Sequence, residues 1–187
     1  MKLNLTLPLP VSLNKLYDNQ FSWNPKTRSR QSTGKRVLSN EGKKVKKLIQ
    51  QRATDTLGES EWDYNFTIDN YIYMDTVIYF NRKGRDDNNI YKLLCDSLEK
   101  IVYENDSRVL VRTQKILYDT ENPRVEIEFT PVTYRGIFED EQSQYIFEEK
   151  CKSCKRYKRN CSILNKAKEG RIQLEINNEY ICSEYRE

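Results

Sequence analysis

The hydrophobic pattern at the start of the chain predicts a strand followed by a helix. Residues 2–9 alternate leucines with polar positions, which is the period of a half-buried β-strand. Residues 43–53 instead carry their apolar side chains at a helical spacing with lysines elsewhere, and Ser39 stands where an N-cap would be. The second element is therefore predicted to be an amphipathic helix with a basic outer face.

The middle of the chain continues this alternation of strands and helices. Residues 64–80 are rich in β-branched and aromatic residues and predict one or two strands. Residues 87–102 have apolar positions at a helical period, with acidic side chains at the positive end of the helix dipole. Two further strands are predicted around 109–118 and 125–129, separated by a turn-like segment. The order β, α, β, α, β, β predicts an α+β domain with a mixed sheet and two helices.

Three segments depart from this pattern and suggest boundaries. Residues 11–36 are rich in Asn, Ser, Lys and Arg with few core residues, which predicts a mobile, basic arm. The composition turns acidic over 134–149 and then basic and cysteine-rich over 150–187. The sequence therefore predicts a domain over 1–133, an acidic linker over 134–149 and a four-cysteine tail over 150–187.

Composition narrows the chemistry that the chain can perform. The net charge of +4 over 187 residues is modest, so only local basic clusters point to nucleic acid. No apolar run is long enough to cross a bilayer and the N-terminus does not read as a signal peptide, so we expect a cytoplasmic protein without a membrane partner. The chain has no histidine. This excludes catalytic triads, and nucleases, that use an imidazole side chain as their base. Hydrolysis would have to rely on carboxylates and a bound metal.

Oxygen ligands for such a metal cluster around the second predicted helix. The cluster consists of Arg85, Asp86, Asp87, Asn88 and Asn89 at its start, Lys92 and Asp96 along it, and Asn105 and Asp106 after it. Hard oxygen ligands suit Mg²⁺ or Mn²⁺, and a lysine on the helix could stabilise charge on the scissile phosphate. The competing interpretation is that the aspartates only cap the helix and that the lysine is a solvated surface residue.

Four segments resemble, in the right order, those of the RusA family of Holliday-junction resolvases. Residues 10–17 read P-x-S-x-N-x-x-Y, 39–42 read S-x-E-G, 85–98 follow R-D-x-D-N-x-x-K-x-x-x-D-x-L except at one position, and 105–106 stand where an acidic pair follows. The resemblance covers roughly residues 1–133. It implies a homodimer that binds four-way DNA junctions and cuts them symmetrically with Mg²⁺. It also implies catalytic carboxylates at Asp86 and Asp106 and a catalytic lysine at Lys92.

The exception is Asn88, which stands where the family has an aspartate. Its amide oxygen can ligate a metal but brings no charge. Either Asp87 takes over the role, or Asn88 completes a weakened metal site with Asp86 and Asp106, or cutting activity is lost. The second acidic pair is also reduced, to Asn105 and Asp106. The alternative function is therefore a catalytically impaired DNA- or protein-binding module on the same fold.

DNA contacts are expected where basic and polar residues gather. The side chains expected to contact DNA are Asn14, Lys15, Tyr17, Lys26, Arg28, Arg30, Lys35 and Arg36 of the arm, Arg85 beside the aspartates, and Lys155, Arg156, Lys158 and Arg159 of the tail. A charge run is, however, more often only a solvated face.

A small, histidine-free resolvase would suit a phage or prophage, acting in the host cytoplasm.

The tail contains a C-x2-C-x6-C-x20-C array. Its members are Cys151, Cys154, Cys161 and Cys182. Four thiolates suit a structural Zn²⁺ ion with tetrahedral coordination. A segment this short, with few apolar residues, would need a metal cross-link of this kind to fold. An iron–sulfur cluster and free thiols are the alternatives. Cys95 lies on the apolar face of the second predicted helix and is interpreted as a core residue.

Overall fold

The computed structural model describes residues 1–187 and divides into two compact units, Met1–Pro131 and Val132–Glu187. The first unit contains β1 (Leu3–Pro8), α1 (Leu13–Leu16), β2 (Tyr17–Asn24), β3 (Ser29–Leu38), α2 (Asn40–Leu57), α3 (Phe66–Asp69), β4 (Ile72–Phe80), α4 (Asn88–Leu98), a 3-10 turn (Asp106–Arg108), β5 (Val109–Tyr118) and β6 (Arg124–Pro131). The second unit contains α5 (Glu141–Ser153) and α6 (Ile163–Lys168). None of the helices is both long and apolar enough to span a bilayer.

The first unit is built on a four-stranded mixed sheet with the strand order β1-β6-β4-β5. Strand β4 runs parallel to β5 and antiparallel to β6, and β6 runs antiparallel to β1. The predicted series β, α, β, α, β, β corresponds to β1, α2, β4, α4, β5 and β6. The predicted α+β class with a mixed sheet is therefore confirmed, and the first unit contains the short helices α1 and α3 in addition to the two predicted ones.

One face of this sheet forms the core of the first unit. Burial alternates along β4, from Ile72 to Phe80, as expected for a strand with one covered face. Helices α2 and α4 contribute side chains such as Ile49 and Leu94 to the same cluster. Ser39 caps α2 by accepting a 3.1 Å hydrogen bond from the Gly42 backbone N–H. A Cβ atom at Gly42 would lie 3.0 Å from Leu16, so the glycine lets α1 pack close to α2.

Residues 11–36, predicted to be a mobile basic arm, contain regular secondary structure. This segment forms α1 and then most of a β-hairpin in which β2 and β3 pair with each other, from Tyr17 opposite Leu38 to Asn24 opposite Ser29. The hairpin belongs to no larger sheet and most of its side chains are exposed. A strand without a buried face shows no alternation of apolar and polar residues, which is why the pattern did not predict it.

The segment predicted as an acidic linker, residues 134–149, differs from that expectation because it is folded into the second unit. Phe138 and Phe147 are buried there against Ile163 and Ala167. Asp140 begins α5 with a capping box in which Ser143 is the partner residue. The glutamates of this segment occupy exposed or partly exposed positions, so an acidic composition coexists with a helix that buries one side.

Candidate active site

The start of α4 carries the first part of the site. Asp87 is the N-cap residue, and its Oδ1 accepts a 3.0 Å hydrogen bond from the Asn88 backbone N–H. Asp86 Oδ1 accepts from the same N–H at 3.0 Å, and its Oδ2 accepts from Asn89 Nδ2 at 3.4 Å. Both aspartates therefore support the helix start, as the competing interpretation expected. Asp86 is nevertheless exposed, and a carboxylate has about four acceptor positions, so it remains open to a ligand.

Asp87 is held in place by a chain of hydroxyl groups that reaches the sheet. Its Oδ2 accepts a 2.6 Å hydrogen bond from Thr113 of β5. The Tyr91 hydroxyl bonds to Thr113 at 2.5 Å and to Thr76 of β4 at 2.7 Å. Burial raises the pKa of the Tyr91 phenol, so it stays protonated and can bridge the two threonines. The network fixes the start of α4 against β4 and β5.

A surface groove of about 430 Å³ opens beside Asp86. It is lined by Pro10, Ser12, Asn14 and Lys15 from the segment before β2, by Glu41 from the start of α2, and by Arg85, Asp86 and Asn89 from the start of α4. These residues come from three of the four segments that resemble the family. Their convergence on one groove is a property of the folded chain, because the segments lie tens of residues apart.

Lys92 and Asp106 lie near each other, and neither lines the groove beside Asp86. The Lys92 ammonium group donates to Asp96 Oδ1 at 2.8 Å, one helical turn further along α4. This hydrogen bond raises the pKa of Lys92, and the nearby Asp106 carboxylate and Tyr17 hydroxyl act in the same direction. Lys92 is thus a permanent cation at neutral pH. Asp106 begins the 3-10 turn after α4 and is exposed.

The residues around α4 fit a hydrated divalent ion better than a fully enclosed one. The structure contains no group of three or more Cys, Asp or Glu side chains arranged to hold a metal ion. Mg²⁺, however, keeps several water ligands and commonly binds through only one or two carboxylates. Asp86, Asp106 and Asn88 are exposed oxygen donors, so their chemistry is compatible with such an ion.

The hairpin carries the arm residues expected to contact DNA, and beside them two exposed aromatic residues that the sequence analysis did not single out. Lys26 and Arg28 lie in its turn, and Arg30, Lys35 and Arg36 lie on β3, with the Arg36 guanidinium 5.3 Å from the Tyr17 ring centre. Trp23 and Phe21 are 63% and 57% exposed. Residues paired across antiparallel strands share a face, which puts Trp23 beside Arg30. The sequence signal that could have identified this face is a pair of aromatic residues two positions apart in an otherwise polar segment.

The basic residues of the second unit differ in whether an acidic side chain of the same unit pairs with them. Arg156 forms an ion pair with Glu184, and the Lys158 ammonium lies 5.4 Å from the centre of the Tyr157 ring. Lys155 and Arg159 complete the expected set on the turn after α5. Arg156 is therefore partly neutralised by its own unit.

Comparison with known proteins gives one family. A sequence model described as Endodeoxyribonuclease RusA matches residues 20–130, which is more than half of the chain. The match begins within β2, ends within β6, and includes the whole of α4 and the 3-10 turn. Strand β1 and residues 10–17 precede it, and the second unit follows it. No curated protein matches the chain.

Proposed function

Because the chain belongs to the RusA family of endodeoxyribonucleases, we propose that it is a divalent-metal-dependent nuclease that resolves four-way DNA junctions in recombination or repair. The observation that carries the proposal is the groove beside Asp86, where three distant family-like segments meet. Such a protein would act in the cytoplasm, that of the host if its gene is phage-borne.

The proposed roles carry the family's catalytic residues over onto α4 and the turn that follows it. Asp86 and Asp106, with Asn88, would hold Mg²⁺ or Mn²⁺, which when bound polarises the phosphate and lowers the pKa of a water ligand. Lys92 places a fixed positive charge near Asp106, where it would stabilise negative charge that develops on phosphate oxygens. Asp87 would act as a positioning residue, since it is tied to Thr113.

The direct test is incubation of the pure protein with a labelled four-way junction and Mg²⁺ or Mn²⁺. Paired nicks at symmetric positions would support the proposal, and linear duplex of the same sequence is the control. Binding without nicks under all metal conditions would contradict a nuclease and favour the alternative below.

DNA binding is proposed for the hairpin face that carries Trp23, Phe21 and Arg30. Exposed aromatic rings stack on bases that are unpaired or partly open, and arginines attract phosphates, so this combination suits the branch point of a junction. Asn14, Lys15 and Arg85, which line the groove, would contact the backbone near the cut. In the second unit, Lys155 and Arg159 are better placed for phosphate contacts than Arg156, whose charge is paired.

Trp23→Ala is expected to weaken junction binding about tenfold, because stacking is worth about 1–3 kcal/mol per base. Fluorescence anisotropy with a labelled junction measures this change. Tyr145→Ala is a matched control, since Tyr145 is 59% exposed but stands on α5 near several glutamates that repel DNA. Equal affinities for wild type and Trp23→Ala would remove the hairpin face from the binding surface.

A homodimer is proposed from the family and from the edge of the sheet. Strand β5 is an edge strand, and Leu110, Val111, Ile116, Leu117 and Tyr118 along it are each at least 38% exposed. An exposed, apolar edge strand readily pairs with another chain. A second copy related by a two-fold axis would supply two equivalent active sites, which symmetric cutting of a junction requires.

A catalytically impaired DNA-binding module is the second candidate. Asn88 supplies no charge, and both oxygens of Asp87 are already engaged, by the Asn88 backbone N–H and by Thr113. Asp86 also accepts hydrogen bonds on both oxygens, but Asp87 is only partly exposed and is tied to the sheet through Thr113, so Asp87 is less available to a metal than Asp86. On this view the chain would bind junctions through the same hairpin and groove without cutting them.

Asn88→Asp is expected to lower the Mg²⁺ concentration for half-maximal cleavage and to raise activity, because it adds a charged ligand beside Asp86. Cleavage measured across a magnesium titration tests this. Asn178→Asp adds the same charge at an exposed position of the second unit and serves as the control. Unchanged activity in Asn88→Asp would instead indicate that Asp87 is the working ligand.

A further inference from the structure

The four cysteines of the second unit line a single cavity of about 250 Å³. Cys151 is in the last turn of α5, Cys154 ends that helix, Cys161 precedes α6, and Cys182 lies near the C-terminus. All four are free thiols, partly buried, and Cys151, Cys161 and Cys182 also pack at the edge of the unit's apolar core. The fold therefore collects the whole cysteine array at one place.

Backbone N–H groups point at two of these sulfur atoms. The Cys154 sulfur accepts hydrogen bonds from the backbone N–H groups of Arg156 and Arg186. The Cys182 thiol accepts one from the backbone N–H of Glu184. In both cases one donor lies two residues after the cysteine. Hydrogen bonds of this kind orient a ligand atom, so the turns after Cys154 and Cys182 hold their sulfur atoms in place.

Backbone pairing brings the distant fourth cysteine to the other three. The Ser183 backbone N–H donates to the Glu175 carbonyl at 2.8 Å, and that of Asn177 donates to the Ile181 carbonyl at 3.2 Å, so Cys182 sits on a small hairpin. The Lys155 backbone N–H donates to the Arg186 carbonyl at 3.0 Å. This last bond joins the chain end to the turn that contains Cys154.

The second unit has little else to hold it together. Its buried apolar residues are only Phe138, Phe147, Ile163 and Ala167. A unit of this size with so small a core ordinarily needs a disulfide or a metal, and the structure has no disulfide. Four cysteines that converge without pairing are the arrangement in which a metal supplies the cross-link.

We propose that Cys151, Cys154, Cys161 and Cys182 bind one Zn²⁺ ion, which holds the C-terminal unit in its fold. Soft thiolate ligands select zinc, and four of them fill its tetrahedral shell, leaving no open position for catalysis. The thiols are not arranged as a closed ligand group in the structure, so binding includes their reorientation. Each thiol that coordinates loses its proton to solvent as the sulfur–zinc bond forms.

The test uses the full chain, purified without a metal-binding tag and without added metal. Elemental analysis should find about one zinc per chain, and replacement by Co²⁺ should produce the intense thiolate-to-cobalt absorption of a tetrahedral site. Removing the metal with a chelator should make residues 132–187 sensitive to protease while residues 1–131 stay resistant, and added Zn²⁺ should restore resistance. These readouts need no DNA, so they are independent of the proposed nuclease activity.

Cys154→Ser should lose most of the zinc, whereas Cys95→Ala, which removes the cysteine of α4, should keep it. Cys161→His provides a variant that can still coordinate, and it should retain zinc with a shifted cobalt spectrum. Iron in place of zinc, a chain that resists protease without any metal, or full zinc content in Cys154→Ser would each overturn the proposal.

Discussion

Replacing Asp86 by asparagine should abolish junction cleavage while leaving junction binding intact or stronger. The substitution removes a charged ligand, and a catalytic metal contributes several kcal/mol of transition-state stabilisation. Because each 1.4 kcal/mol is about a factor of ten in rate, we expect a loss of roughly 10²–10⁴-fold. Binding should not suffer, since one carboxylate fewer means less repulsion of the phosphates.

Asparagine is a conservative change at this position. The Asn88 backbone N–H donates to Asp86 Oδ1, and an amide oxygen can accept the same bond, so the start of α4 should persist. Asp55→Asn, on the exposed surface of α2, makes the same charge change away from the groove and is the matched control. Single-turnover cleavage and junction affinity should be measured on both variants. Cleavage at the wild-type rate in Asp86→Asn would remove this residue from the active site.

Lys92→Ala should lower the single-turnover rate about 100-fold with little change in junction affinity. The Lys92 ammonium bonds Asp96 and lies near Asp106, so its charge is fixed where oxygen charge would develop during cleavage. Removing one such preorganised donor typically costs a factor of about 10²–10³. Affinity depends on many cations together, so the loss of one should be a small effect.

The structure offers a close control for Lys92. Lys100 also pairs with an acidic residue four positions later, Glu104, and both lysine side chains are more than half exposed. Lys100→Ala should therefore leave the cleavage rate near that of wild type, while Lys92→Arg should recover part of the activity by restoring the charge. If the whole defect of Lys92→Ala is a loss of affinity, Lys92 is a phosphate anchor and not part of the chemistry.

Local patterns in the sequence were sufficient to predict the main helices and strands and to select the candidate site residues. Alternation identifies β1, and helical spacing identifies α2 and α4, because each has one buried side in the folded unit. The spacing from Asp86 to Lys92 could also be read directly, since both residues belong to one helix and its N-terminal flank. The cysteine spacing likewise indicated which thiols could act together.

The pairing of elements that are distant along the chain was decided only by tertiary structure. Strands β5 and β6 are consecutive, yet β4 lies between them in the sheet, since a strand's own period says which face is buried but not which strand is its neighbour. The hairpin of β2 and β3 escaped prediction because its two strands bond to each other and have no buried face.

The polar groups of the candidate site were likewise brought together only by tertiary structure. Thr76, Tyr91 and Thr113 carry no local signal, and they become a network only because β4, α4 and β5 pack together. The groove beside Asp86 similarly unites side chains from separate loops. Periodicity thus determined what each element is, whereas long-range packing determined which polar groups meet, because contacts between distant residues depend on how the buried faces fit and not on any single segment.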